Sequence, residues 1–165
     1  MKTMDTFEDV IVKHPFLSGL DPHFYHFFSE RASFRRYEPG QEIFREHGNA
    51  EHFYLIQSGK VALEAFVPGR GMVTIQTLGP GEALGWSWLT PPNRWQFSAS
   101  AIDRVTLSVF RVTDLRQLFK REPELGYWFM ERAAQALLER LQATRHKLRV
   151  YVERASGDEN TQQIC

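Results

Sequence analysis

The chain has 165 residues, of which 42% are hydrophobic and 13% aromatic, with thirteen Phe and four Trp. That is enough apolar surface for one domain plus an extension, and it argues against disorder over most of the length. Lysine and arginine balance aspartate and glutamate to a formal net charge of zero, so nothing in the charge asks for nucleic acid or an anionic membrane as the main partner. The one cysteine, Cys165, is the last residue; this excludes an internal disulfide framework and a Cys-based zinc site, and it fits a reducing compartment. A prenylation motif needs residues beyond its cysteine. The first fourteen residues carry acids where a signal peptide needs an apolar core, and no apolar run is long enough to span a bilayer. A soluble cytoplasmic protein is expected.

In chain order, Thr6 to His14 reads as a short amphipathic helix with Phe7, Val10 and Ile11 on one face. Pro15 breaks it. Asp21 is placed to cap a second helix, with Pro22 at its first position. That helix should run to about Arg31 and set Phe24, Phe27 and Phe28 on one side.

From Ser33 the period changes to two. Runs at Ser33–Tyr37, Glu42–Arg45, His52–Gln57, Lys60–Val67 and Met72–Leu78 are divided by Pro39-Gly40, His47-Gly48-Asn49, Ser58-Gly59, Pro68 to Gly71, and Gly79-Pro80-Gly81. In the fourth run Val61, Leu63, Ala65 and Val67 point one way, with Lys60 and Glu64 the other, the mark of a strand with one buried face. Two more runs follow, Gln96–Ile102 and Val105–Val112. The pattern is mainly β with flanking helices. An eight-stranded, jelly-roll-like β-roll is expected, with N-terminal helices and a long C-terminal helix.

Thr113 is expected to cap a helix through Leu118 and Phe119, and Pro123 to open a longer one from about Glu124 to Glu153. In the long helix Met130, Ala134, Leu137, Leu141, Thr144, Leu148 and Tyr151 form a heptad-like seam. Such a helix extends roughly 45 Å, more than a small β-roll can cover. Its first half is expected to pack on the roll and its second half to meet another chain, as in a homodimer. Residues 1–155 then form one domain including the helix, and the polar tail 156–165 is expected to be disordered.

The segment from Pro80 to Ala101, PGEALGWSWLTPPNRWQFSASA, carries the parts of a pocket for a small anion. A phosphodiester needs backbone N–H groups, best from a helix N-terminus. It needs a cation with several donors, for which Arg suits better than Lys, and its sugar hydroxyl needs an acceptor. Gly81 lets the backbone approach closely. Glu82 is the acceptor candidate, and Arg94 the cation candidate.

FLSGLD before the roll, YEPGQEIFREHGNAEHFYLIQSGKVAL across its first four strands and LGPGEALG entering the cassette together resemble the cyclic nucleotide-binding domain of the catabolite-activator and cAMP-dependent-kinase regulatory families. The resemblance runs from about Phe16 into the long helix. It implies a ligand-sensing regulatory module, not an enzyme, that binds cAMP or cGMP and relays this through the C-terminal helix. Arg94 would pair with the phosphate and Glu82 with the ribose hydroxyl. Gly81, Ala83 and Leu84 would present backbone, Ser98 or Ser100 would add a hydroxyl, and Trp95 would line the site. Two departures stand out. Glu82 and Arg94 are farther apart than the family pattern has them. Bulky Trp95 stands where a small residue is expected, with Trp86 and Trp88 in the cassette helix. The indoles either line a pocket or plug it.

A helix-turn-helix domain would follow the long helix in the family's transcription regulators; too few residues follow here, so no DNA binding by the chain itself is expected. The alternative reading is a nucleotide-free β-roll interaction module, its pocket filled by tryptophan, that dimerises through the helix. Arg140, Arg145, Lys147, Arg149 and Arg154 read as a solvated face near the helix C-terminus. His47 and His52 lack the close pair and carboxylate of a cupin metal site, and no Ser-His-Asp or Cys-His set can be assembled. Neither a metal nor a required cofactor is expected.

Overall fold

Helix α1 (Phe7–Val12) is the first element among residues 5–161, which the computed structural model describes. Thr6 and Asp9 close a capping box: Asp9 N–H donates to Thr6 Oγ1 at 3.2 Å, and Thr6 N–H to Asp9 Oδ2 at 2.9 Å. Pro15 does more than end this helix. It opens a 3-10 turn, Pro15–Leu17, capped by His14, whose Nδ1 accepts from Phe16 N–H at 3.1 Å. Asp21 caps as expected, accepting from His23 N–H at 2.9 Å. The turn Pro22–Phe24 passes into α2 (Tyr25–Ser29), where Phe24 and Phe28 are buried and Phe27 half-buried.

Eight antiparallel strands follow: β1 (Ala32–Tyr37), β2 (Glu42–Phe44), β3 (His52–Ser58), β4 (Val61–Val67), β5 (Gly71–Leu78), β6 (Ala83–Leu84), β7 (Ser98–Ala101) and β8 (Val105–Arg111). They form two four-stranded sheets, ordered β1-β8-β3-β6 and β2-β7-β4-β5, the expected β-roll. Strand β6 lies inside the cassette segment, outside the runs that a period of two picks out. Strand β3 is apolar on successive residues, Phe53 to Ile56, all buried, because both faces of its sheet are covered. On the helix side Phe53 meets Phe16 at 5.6 Å and Phe110 at 6.2 Å, and Phe28 meets Phe110 edge-on at 5.9 Å. On the second sheet Val61 stands opposite Ala101 and Leu63 opposite Ala99, all buried. A bulge between Leu63 and Glu64 breaks the register of β4 against β5. Val61 and Leu63 are buried as expected, but so is Ala62 between them, and Ala65 and Val67 beyond the bulge are only half-buried, so the expected alternation does not hold.

Two expectations about the C-terminal helices change. Thr113 is not a cap: α3 (Val112–Arg121) starts two residues earlier than such a cap would set it, with Arg111 in the cap position and no side-chain cap bond. The Val112 N–H is instead taken by the Glu51 carbonyl at 2.9 Å, so tertiary structure satisfies a group that a cap would serve. The second change is length. Helix α4 (Pro123–Thr161) continues past the expected end at Glu153, so 156–161 of the tail expected to be disordered are helical; 162–165, with Cys165, lie outside the described residues. Gly126 lets the first turn of α4 approach α3, since a Cβ there would stand 3.0 Å from Phe119 Cβ.

The chain divides into one unit ending at Trp128 and another from Phe129 onward. The second is the rest of α4. Along it Leu137, Leu141, Leu148 and Tyr151 of the expected seam are exposed, Leu148 by 62% and Tyr151 by 72%.

Candidate functional site

The cassette hangs from β3, with β6 at the edge of the sheet. Gly81 N–H donates to the Ile56 carbonyl at 3.0 Å, and Ile56 N–H donates to the Glu82 carbonyl at 3.0 Å. Ala83 then pairs with Leu55 and Leu84 with Tyr54. Gly81 has φ of +88°, where a side chain is strained, and a Cβ there would stand 3.1 Å from Pro15 Cγ. Glycine is required by both the turn and the packing. The Ile56 carbonyl also takes a bond from His14 Nε2 at 2.9 Å. His14 is buried, and burial holds its pKa below the ordinary histidine value, with the Ile56 bond opposing.

The candidate acceptor, Glu82, is exposed, and its Oε2 accepts from Gly79 N–H at 2.7 Å. It closes the turn that carries it. The candidate cation, Arg94, is exposed too, and its Nη1 donates to the His47 carbonyl at 2.9 Å. Glu82 and Arg94 are thus tied to different turns. Ala83 and Leu84 are buried in the sheet edge. Ser98 is buried and Ser100 half-buried, on the face of β7 opposite to that of the buried Ala99 and Ala101. Ser98 Oγ accepts from Glu46 N–H at 3.0 Å. The expected cassette helix is absent; Trp86–Pro92 is a pair of turns, closed by Leu89 N–H to Trp86 O and Asn93 N–H to Thr90 O, each at 3.0 Å. No helix N-terminus is therefore aimed into the cassette.

Tryptophan dominates what remains. Trp95 is 5% exposed and lies flat on Phe44, ring centroids 3.9 Å apart and planes 14° from parallel, with Tyr54 at 6.4 Å. Its ring packs against Gly85, where an added Cβ would come within 3.0 Å of Cη2. Burial raises the Tyr54 hydroxyl pKa well above its ordinary value, with Tyr37 adding and Arg35 opposing. Trp86 sits on the helix side, 5.0 Å from Phe53 and 5.7 Å from Phe16. Trp88 is buried beside Phe53, at 6.3 Å, and its carbonyl accepts from Asn93 Nδ2 at 2.7 Å and from Arg116 Nη2. The Arg116 guanidinium also stands over the Trp88 ring at 5.7 Å. Phe44, Tyr54, Gly85 and Arg116 complete the site, and sequence reasoning did not single them out. The glycine between Leu84 and Trp86 was the one available signal. Among the described residues no cluster of three or more His, Cys, Asp or Glu could hold a metal ion, and no helix is long and apolar enough to cross a membrane.

The Cyclic nucleotide-binding domain matches residues 34–122, more than half of the chain. None of the curated proteins matches it. Among solved structures, the chain is similar to a candidate cyclic nucleotide-binding protein of Geobacter metallireducens GS-15, at 26% identity and a TM-score of 0.71, covering 84% of this chain and 99% of that one. It is also similar to the catabolite activator protein of Thermus thermophilus, at 28% identity and a TM-score of 0.67, over 84% of this chain and 63% of that one. A cyclic nucleotide-binding domain from Methylobacillus flagellatus KT shares the fold at 19% identity, with a TM-score of 0.76 over 86% of this chain and 82% of that one. Matched family, eight-stranded roll and cassette agree: this chain belongs to the cyclic nucleotide-binding domain family, whose members are regulatory, ligand-sensing modules.

Proposed function

We propose that this chain is a non-catalytic regulatory module that acts through assembly, with the inside of its roll filled by its own aromatic side chains in place of a nucleotide. The observation that carries this reading is Trp95 stacked inside on Phe44 while Arg94, one residue earlier, is exposed and engaged by the His47 carbonyl. A buried anion needs a buried cation or several aimed N–H donors. Here the candidate cation lies outside, the candidate carboxylate caps its own turn, and the N–H of Gly81 is spent on β3. The exposed seam on α4 supplies the assembly surface. Calorimetric titration with cAMP and cGMP tests this: no heat and an unchanged melting temperature with either are expected, whereas saturable binding to the unaltered protein overturns it.

A second reading is a sensor of cAMP or cGMP, favoured by the Gly81-Glu82 step, which the family resemblance assigns to ligand contact, and by the family match across the whole cassette. Binding would require Arg94 to leave His47 and Trp95 to give way. The same titration distinguishes the two, and intrinsic tryptophan fluorescence would report Trp95 leaving its stack. A cytoplasmic setting fits both readings.

A further inference from the structure

Three arginines and a histidine from four elements converge at the start of β3. His52 of β3 stands opposite Arg111 of β8, and Arg35 of β1 lies on the same face of the sheet. Arg35 Nη2 is 3.4 Å from His52 Nε2, a contact in which the imidazole is the acceptor and therefore neutral at that nitrogen. Arg116 of α3 joins from the next element. His52, Arg111 and Arg116, with Thr113, Asn93 and Glu51, line a cleft of about 500 Å³. Two acids stand close by. Asp114 accepts from Arg111 Nε at 3.1 Å, and Glu51 acts on His52 against the two arginines. The three arginines outnumber these two carboxylates. Burial first, then Arg35, depress the His52 pKa, with Glu51 opposing and Arg111 adding.

We infer that this cleft binds a phosphate-type oxyanion, held by the guanidinium groups of Arg111 and Arg116 and by His52, with the Thr113 hydroxyl as a neutral donor. The donors come from β3, β8 and α3, and so approach from different directions. A tetrahedral oxyanion presents acceptors in several directions at once, whereas a carboxylate presents one plane. Guanidinium groups carry several N–H donors each, more than the bonds to Asp114 and the Trp88 carbonyl consume. The cleft shares no residue with the Gly81–Leu84 step, although Asn93 and Arg116 also hold the Trp88 carbonyl of the cassette.

Inorganic phosphate, titrated into the full chain at constant ionic strength and matched against chloride, tests the site. The reporter is the His52 ring signal in NMR, identified by its loss in His52→Gln. A saturable shift and a higher His52 pKa in phosphate are expected. Arg111→Gln should weaken binding roughly tenfold, the loss of one charge-assisted hydrogen bond, and Glu51→Gln should tighten it. A response that is linear and equal to that of chloride overturns the site, as does unchanged affinity in Arg111→Gln with the fold intact.

Discussion

Trp95 and Phe44 form a near-parallel stack at 3.9 Å that joins the end of the cassette to β2. The pair ties a loop without regular structure to the second sheet. It also fixes the direction of its neighbours, because Trp95 N–H donates to the Gly48 carbonyl, and the Trp95 carbonyl accepts from His47 N–H, both at 2.9 Å.

Trp95→Ala removes a ring from this stack and should destabilise the protein by about 3–5 kcal/mol. Trp95→Phe keeps an aromatic face against Phe44 and should cost less. Urea denaturation followed by circular dichroism measures both. Equal stability in Trp95→Ala and the parent would mean that the indole carries none of the packing described.

Gly85 has φ of +91°, and a Cβ there would meet the Trp95 ring at 3.0 Å and the His52 carbonyl at 3.2 Å. Gly85→Ala therefore combines backbone strain with a clash against backbone. A loss of about 1–3 kcal/mol is expected, read in the same denaturation experiment.

Two histidines have folded pKa values held below the ordinary value of 6.5, His14 by burial and His52 by burial and the nearby arginines. The unfolded chain therefore takes up protons at a higher pH than the folded one. Stability should be full above pH 6.5 and fall as the pH drops from there through the depressed folded values. For His14 the cause is burial, which disfavours the imidazolium, with the bond from Nε2 to the Ile56 carbonyl opposing. His14→Gln should flatten the slope between neutral and mildly acid pH without abolishing it, since His52 contributes with the same sign. Denaturation midpoints across that range measure it, and a variant with the parent's slope would remove His14 from the account.

On α4, Leu141 and Leu148 lie on the exposed seam. If the module assembles there, Leu141→Glu with Leu148→Glu should convert a dimer to a monomer in sedimentation velocity, as should truncation after Leu137, and neither change should alter the near-ultraviolet spectrum of the roll. A parent that sediments as a monomer at high concentration would rule the seam out as a self-assembly surface.

Most of the roll was legible because glycine, proline and asparagine punctuate it at nearly every turn, and because runs such as Lys60–Val67 alternate with a period of two. Strand β6 was not, since two residues cannot display a period. The direction of the cassette side chains was not legible either. Arg94 and Trp95 are neighbours, and a shift of one residue exchanges inside for outside. In a loop without a period nothing local sets that phase; Gly48, Gly85 and Phe44, distant in sequence, set it. At Thr113 the sequence offered a suitable cap, but the Glu51 carbonyl had already taken the first helical N–H. The length of α4 escaped a compositional reading because a helix once formed extends at little cost per residue, even through poor formers such as Gly157.

The bond from His14 to the Ile56 carbonyl bears on where this protein can be cut. The family match begins at Phe34, yet Ile56 holds His14 and Gly81 together, and Phe16 and Phe28 cover the outer side of the first sheet. A fragment started at the family boundary would bare that sheet to solvent and leave Gly81 without the proline it rests on. The smallest piece expected to fold reversibly therefore begins upstream of Thr6, where the capping box of α1 is intact.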